Sequence, residues 1–408
     1  SLSGGSSYDV WDMFAEVNVP LIVDHPGMRE LAVDAAWRRA DYSTFGTNTT
    51  YKFGAVMAPN DSIRLRGNYS RAVRVPNLFE LFSPDQGAFF RPADPCDATQ
   101  IGLSANPEQR QANCIADLQS LNVAANNIFD ADGNYAFEDP LSAGFPGVVG
   151  GNADLEPEEA TTKTYGFVIT PTFADRLVLT ADYWNIKIDD AISSISAQNI
   201  VNSCYDSASL NNSFCSLIAR NPESTSAQSG GLTFLRQGQL NFGSAEATGW
   251  DFTLRYGMEV GGFDLRFNAQ ATLNTQLDFV QPASTDGGDV IVDDELKEGR
   301  RPKWSALGTL SVLRGPMTLN WQTQYLSRQV LAYEDGAEIE TVRDNFGPSG
   351  FSDTTFVHNL TGSYQFGERF TVYGGIDNVS DERPFITERA YPVSPRGRYF
   401  FGGINFRI

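Results

Sequence analysis

The sequence predicts an all-β fold: an antiparallel transmembrane β-barrel of the outer-membrane type, with about thirteen strands in this chain. Apolar and polar residues alternate over long segments, short and long connections alternate between those segments, and the composition is rich in Gly, Phe and Tyr. The strands of a soluble β-sandwich also alternate apolar and polar residues, but those strands are short. The segments here approach the ~10 residues that a tilted strand needs to cross a bilayer.

The strand pattern is clearest in residues 261–273, where one face is apolar and the other carries only polar side chains. The same pattern recurs in segments that begin near Trp11, Leu31, Ile63, Trp250 and Leu319. We expect the polar face to line a hydrated lumen, because an arginine turned to lipid costs about 2–4 kcal/mol at the midplane. Four aromatic residues are expected on the lipid-facing side: Trp250, Tyr256, Trp321 and Tyr364.

The connections between these strands predict the orientation of the barrel. Short turns are predicted at 24–27, 58–61, 172–175, 258–262, 314–315 and 366–368, with a further short connection at 41–46. Long connections are predicted at 72–160, 190–242, 278–300, 329–351 and 378–396. Because long loops are extracellular in outer-membrane barrels, we expect the C-terminus to be periplasmic.

Charge and cysteine usage restrict the function. A net charge of −20 disfavours nucleic acid as a partner. No apolar run approaches the length of a membrane helix, and no secretory signal is visible at Ser1. Two close cysteine pairs lie in loop-like sequence, Cys96 with Cys114 and Cys204 with Cys215, which predicts disulfides in an oxidising compartment. The alternative, a metal site, is less favoured because no histidine lies near either pair.

Candidate site residues fall into two groups, each with a structural alternative. The candidate ligand contacts are Arg71, Arg74, Asp182 and Trp184, which could instead pair with loop carboxylates or belong to a barrel-wall network. The candidate calcium ligands are Asp289, Asp293, Asp294 and Glu295, which could instead form a solvated acidic loop. We predict no catalytic residues and no cofactor, because the chain has only 2 histidines and no Gly-x-Ser-x-Gly segment.

Four sequence blocks resemble the TonB-dependent outer-membrane transporters, and they occur in the order found in that family. They are YSRAVRVPNLFELFSP (69–84), GGNADLEPEEATTKTYGF (150–167), GGIDNVSDERPF (374–385) and YFFGGINFRI (399–408). The last block resembles a barrel-closing strand with Phe400, Ile404, Phe406 and Ile408 on one face. The chain departs from the family pattern at Thr164, where glutamate is common, and at Ile408, where an aromatic residue is usual.

The resemblance implies a receptor for nutrient uptake across the bacterial outer membrane. It implies a 22-stranded barrel closed by an N-terminal plug, energised by TonB, ExbB and ExbD, and surrounded by outer-membrane lipid and lipopolysaccharide. The ligand would be a saccharide, cobalamin, a peptide or a ferric siderophore. No plug or TonB box is present, so we expect residues 1–408 to be the C-terminal part of the barrel and its N-terminal part to be a partner.

Three alternatives to a transporter remain open: a passive porin, a surface adhesin and a barrel enzyme. Acidic residues in the loops at 72–160 and 278–300 favour neutral or cationic ligands over anionic chelates.

Overall fold

The fold is a long antiparallel sheet of consecutive strands. The computed structural model describes residues 7–104, 106–141, 143–222, 228–241, 243–281, 291–294, 296–297, 301–330, 339–383 and 394–406. Thirteen strands pair in chain order, and β15 (Ile291–Asp294) adds to β14. They are β1 (Val10–His25), β2 (Met28–Tyr42), β3 (Gly46–Asn60), β4 (Ile63–Arg74), β7 (Glu158–Ile169), β8 (Leu177–Asp189), β13 (Ser244–Val260), β14 (Phe263–Gln281), β16 (Trp304–Arg314), β17 (Met317–Leu326), β18 (Thr355–Phe366), β19 (Phe370–Asp377) and β20 (Tyr399–Phe406).

The predicted fold class and strand count are confirmed. Tight turns join β1 to β2, β3 to β4, β13 to β14, β16 to β17 and β18 to β19, at the predicted positions. Gly261 and Gly262 make the β13–β14 turn with φ of 57° and 80°, a conformation that side chains disfavour. The β13–β14 hairpin is longer than predicted, because β14 continues to Gln281.

The two longest connections fold together into one compact unit, although the sequence predicts them only as loops. This loop lobe comprises the described residues within 75–157 and 190–243. Its helices are α1 (Leu78–Phe82), α2 (Ala98–Ile101), α3 (Pro107–Ser120), α4 (Ala125–Ile128) and α5 (Ala197–Asp206). Its strands are β5 (Gln86–Phe90), β6 (Phe145–Val149), β9 (Ile192–Ser194), β10 (Ile218–Arg220), β11 (Leu232–Gln237) and β12 (Gln239–Asn241). A further helix, α6 (Ile339–Phe346), lies in the β17–β18 connection.

The loop lobe contains the largest buried core in the described part of the chain. One cluster surrounds both disulfides and includes Leu118, Ile128, Phe137 and Tyr205. A second cluster packs α5 against the four-stranded sheet β10-β11-β6-β5. The barrel strands, by contrast, leave their apolar face exposed, as Trp11, Phe53 and Tyr165 illustrate. No helix among the described residues is long and apolar enough to span a membrane.

Candidate functional site

A row of polar side chains crosses four neighbouring strands near the middle of the sheet. Arg66 on β4 donates to both carboxylate oxygens of Asp182 on β8, at 2.7 and 2.6 Å. The intervening strand β7 presents Gly166 between them, and a side chain there would overlap the Asp182 carboxylate. Asp182 also lies opposite Asp251, which accepts a hydrogen bond from Thr272 at 2.7 Å. The glycine therefore permits an ion pair between strands that are not adjacent.

Trp184 lies on the same face as Asp182, two residues further along β8 toward the loops. Its ring covers Gly249 on β13, where a Cβ would collide with the indole. Asn68 and Thr164 continue this row on β4 and β7. Asp182 and Trp184 thus share the polar face of the sheet. This is the face that the sequence predicts to line the lumen.

A cleft of about 670 Å³ adjoins this row on β13, β14, β16 and β17, in the half of the sheet nearer the long connections. Its polar lining consists mainly of carboxamide and hydroxyl groups, with one carboxylate and one guanidinium: Asp251, Thr253, Gln270, Thr272, Asn274, Arg301, Ser305 and Gln324. Such a surface can hydrogen-bond a polar ligand through both donors and acceptors. The sequence places several of these residues on the polar face of predicted strands, but none of them was predicted as a ligand contact.

Arg74 connects the end of β4 to the base of the loop lobe. Its guanidinium donates to Glu158 at 2.6 and 2.9 Å and to Glu80 at 3.0 Å. Glu80 belongs to α1, which is capped at Asn77 by reciprocal side-chain bonds, and Glu158 accepts from the Ile192 amide at 2.6 Å. Arg74 therefore pairs with loop carboxylates, which is the structural alternative for this residue, and stays a candidate ligand contact only as a prediction.

Arg71 lies on the opposite face from Arg74, Asp182 and Trp184. It follows Tyr69 by two residues, and its guanidinium pairs with Glu159 and donates to the Thr49 carbonyl oxygen at 3.2 Å. Residues three apart in a strand point to opposite sides of the sheet. The structure therefore does not bring Arg71 and Arg74 into one site.

The loop lobe is held by buried charge and by two disulfides. Arg220 and Asp94 are 2% and 0% exposed and form two hydrogen bonds of 2.6 Å. Burial alone would lower the pKa of Arg220, but Asp94 outweighs it and keeps the pKa well above its ordinary value. Burial raises the pKa of the Tyr205 phenol, which accepts from Arg220 Nε at 2.5 Å. Disulfides join Cys96 to Cys114 and Cys204 to Cys215.

The remaining predicted sites are only partly described. Asp289 and Glu295 lie outside the described residues, and Asp293 and Asp294 lie in β15, where only the backbone is described. No group of three metal-ligating side chains occurs in the part of the chain that the structure describes. In β20, Phe400, Ile404 and Phe406 are about two-thirds exposed, while Ile408 lies outside the described residues.

One known protein family matches most of the chain. Residues 1–379 match the model of the TonB dependent receptor-like β-barrel family. No match was found among curated proteins.

Solved structures of siderophore receptors and of an iron transporter have a similar fold. A mutant of the ferric enterobactin receptor PfeA from Pseudomonas aeruginosa aligns with a TM-score of 0.61 at 16% identity, covering 98% of this chain and 45% of that one. The siderophore receptor PirA from Acinetobacter baumannii aligns with a TM-score of 0.58 at 14% identity, over 98% and 46%. The FrpB iron transporter from Neisseria meningitidis aligns at 0.50 and 12% identity, over 98% and 46%. This chain therefore spans less than half the length of these proteins.

Proposed function

Because this chain belongs to the TonB-dependent receptor β-barrel family, we propose that it forms part of an outer-membrane receptor that takes up a nutrient with energy from TonB. The match of residues 1–379 to the family carries this proposal. The loop lobe lies outside the cell and the polar face lines the lumen. Contact with TonB, ExbB and ExbD is made through a plug domain, and the lipid around the barrel includes lipopolysaccharide.

The ligand is captured between the loop lobe and the upper polar face. In this proposal, Asp182, Trp184 and the polar residues of the adjoining cleft contact the ligand from the polar face, and Arg74 contacts it from the base of the lobe. Residues 75–157 carry 12 acidic and 2 basic side chains, so the lobe repels anionic chelates and favours neutral or cationic ligands. Saccharides, cobalamin, peptides and ferric siderophores all remain candidates. An anionic ferric siderophore would need basic side chains at its site to compensate its negative charge.

The first measurement is the abundance of the protein in iron-starved cells against iron-replete cells. A large rise assigns the ligand to ferric chelates and contradicts the preference for neutral or cationic ligands. Without a rise, growth on saccharides, cobalamin or peptides as limiting nutrients is compared next. Uptake of the identified nutrient that persists unchanged after deletion of TonB would contradict the transporter proposal and favour a passive porin.

Two neighbouring aromatic residues test the position of the ligand site. Trp184→Ala removes a ring from the polar face and should weaken ligand binding roughly 10-fold, the scale of one aromatic contact. Tyr183→Ala removes a ring from the other face of the same strand, where Tyr183 packs on Tyr165, and should leave binding unchanged. Equal losses in both variants would place the ligand elsewhere.

A further inference from the structure

The outer strand of the loop-lobe sheet lacks the features that usually protect an edge. β5 (Gln86–Phe90) ends the order β10-β11-β6-β5, and β6 is the only described strand that pairs with it. Edge strands usually carry a charge, a proline or a bulge, which prevents other chains from adding to them. The sequence of β5, QGAFF, has no charge and no proline, and its register with β6 is continuous. β5 therefore offers an open edge to an extended chain.

The free backbone groups of this open edge belong to Gly87 and Phe89. The Phe90 carbonyl oxygen points toward β6, because it lies 2.8 Å from the place where a Cβ would stand at Gly144. The amide and carbonyl of one residue in an antiparallel strand point to the same side, and that side alternates along the strand. The amides and carbonyls of Gly87 and Phe89 therefore point away from β6, where an added strand can bond to them.

The outer face of the same sheet is apolar beside the open edge. Phe89 is 82% exposed and lies directly opposite Pro146 on β6. Phe234 on β11 is 39% exposed and lies on the other side of Pro146, as the register Arg236↔Val148 requires. A strand added to β5 would place a side chain beside Phe89, and aromatic or β-branched neighbours across two strands stabilise a sheet. The outer face therefore favours an added strand with apolar side chains.

The charge of the lobe distinguishes between possible occupants of this edge. Residues 75–157 carry 12 acidic and 2 basic side chains. A second copy of the lobe would bring the same negative charge to the interface, and like charges disfavour association. A basic peptide would instead be attracted. Because β5 itself carries no charge, this attraction acts over the field of the whole lobe rather than through an ion pair at the edge.

We propose that β5 binds an extended basic peptide by strand addition, with an apolar side chain of the peptide packed against Phe89. Backbone hydrogen bonds from Gly87 and Phe89 hold the peptide, while the apolar face and the acidic lobe select its side chains. This inference rests on the proposed function, because it names peptides as the nutrient class and requires the lobe to lie outside the cell.

Gly87 provides a matched pair of variants. Its φ is not positive, and a Cβ at this position would have no atom within 4 Å, so a larger residue fits without strain. G87P removes the outward-pointing amide and leaves the hydrogen bonds to β6 in place, since an edge strand tolerates proline where the amide faces away. G87A adds a side chain and keeps the amide. The difference between the two variants therefore reports the backbone donor.

Wild type, G87P and G87A are purified intact from outer membranes in non-ionic detergent. Heat-modifiable migration shows that the barrel is folded, and equal resistance to protease shows that the lobe is folded. The probe is a short fluorescent peptide of alternating valine and threonine with a lysine at each end. One control peptide has a glutamate at each end, and a second carries a methyl group on every backbone amide.

The wild type should bind the lysine peptide, and its Phe89 amide should exchange hydrogen more slowly in the complex. G87P should weaken binding roughly 10-fold, the upper range for one lost hydrogen bond, whereas G87A should change it less than about 3-fold. The glutamate peptide should bind at least roughly 5-fold more weakly than the lysine peptide, and less so at high salt. The methylated peptide should not bind, because it has no amide donors.

Each of four results would overturn the proposal: no binding of the lysine peptide at low millimolar concentration, equal losses in G87P and G87A, binding of the methylated peptide as tight as that of the lysine peptide, or glutamate and lysine peptides that bind equally. A wild-type dimer that G87P dissociates would assign the edge to a second copy of the chain.

Uptake is measured separately in cells with and without TonB. TonB-dependent uptake of a nutrient other than a peptide would overturn the peptide site and support the transporter proposal. Peptide binding at β5 together with uptake that does not need TonB would have the opposite meaning. The two proposals can therefore fail independently.

Discussion

Replacing Arg220 with methionine removes the cation from the most deeply buried ion pair of the loop lobe. Asp94 is 0% exposed and receives two hydrogen bonds of 2.6 Å from the guanidinium, so R220M leaves a carboxylate without its counter-charge in the core. The same change removes donors to the Gly230 carbonyl oxygen at 2.7 Å and to the Tyr205 hydroxyl at 2.5 Å. Breaking a buried pair in this way costs about 3–5 kcal/mol.

That cost should appear as local opening of the lobe. Hydrogen exchange at the amides of Leu118 and Tyr205 should accelerate about 10²-fold or more in R220M, because each 1.4 kcal/mol is a factor of ten. Amides in the β13–β14 hairpin are the internal control and should not change, since their ladder is independent of the lobe core.

The double variant D94L/R220M distinguishes an unpaired charge from lost packing. When both charges are replaced by apolar groups of similar size, most of the cost should disappear, so at least about 2 kcal/mol should be regained over R220M. Slower or unchanged exchange of the Leu118 amide in R220M would refute the predicted cost. Exchange as fast in the double variant as in the single one would show that the cost does not come from the unpaired charge.

Three further predictions concern the lobe and its base. C96S/C114S opens a loop of 18 residues and should destabilise the lobe by about 3 kcal/mol, which protease resistance with and without a reductant would measure; identical resistance contradicts this. Arg74→Gln should speed proteolytic cutting in 77–92, since it releases Glu80, whereas Arg71→Gln on the other face should not. Burial acts to raise the pKa of Asp97, but hydrogen bonds from the Asp139 amide and from Thr99 outweigh it and lower the pKa. Asp97 therefore stabilises the lobe above its unfolded pKa of about 3.9 and loses this effect as pH falls through the folded pKa. Asp97→Asn should therefore reduce the loss of lobe stability at acid pH. An unchanged pH dependence of lobe unfolding would refute this role of Asp97.

The sheet could be predicted from the sequence because its information is local. Alternation over residues 261–273 fixes which side chains share a face, and the glycines at 261 and 262 fix the turn, so β13 and β14 follow without knowledge of the rest of the chain. The short and long connections then order the remaining strands. The same parity, applied strictly along β4, places Arg71 beside Tyr69 and away from Arg74, so alternation alone is sufficient to separate these two arginines.

The loop lobe could not be predicted in the same way, because its stabilising contacts join distant parts of the chain. Arg110 pairs with Asp206 across 96 residues and Arg220 with Asp94 across 126. Periodicity contains no information about such partners. The four cysteines were a sufficient signal for two covalent links, but each link closes within one connection, so it did not indicate that the two connections share a core.

Two of the sequence blocks that resemble the family, 69–84 and 150–167, contact each other at the base of the lobe. Glu80 and Ser83 accept backbone hydrogen bonds from Asn152 and Gly151, at 2.8 and 2.9 Å, and Arg74 joins the blocks by charge. A side chain at 151 would collide with the backbone of 81–83, which explains a glycine there. The two ends of the long connection are therefore clamped to each other where they leave the sheet. Because these contacts do not involve the residues between the two blocks, the rest of the lobe can vary while the strands beneath keep their register.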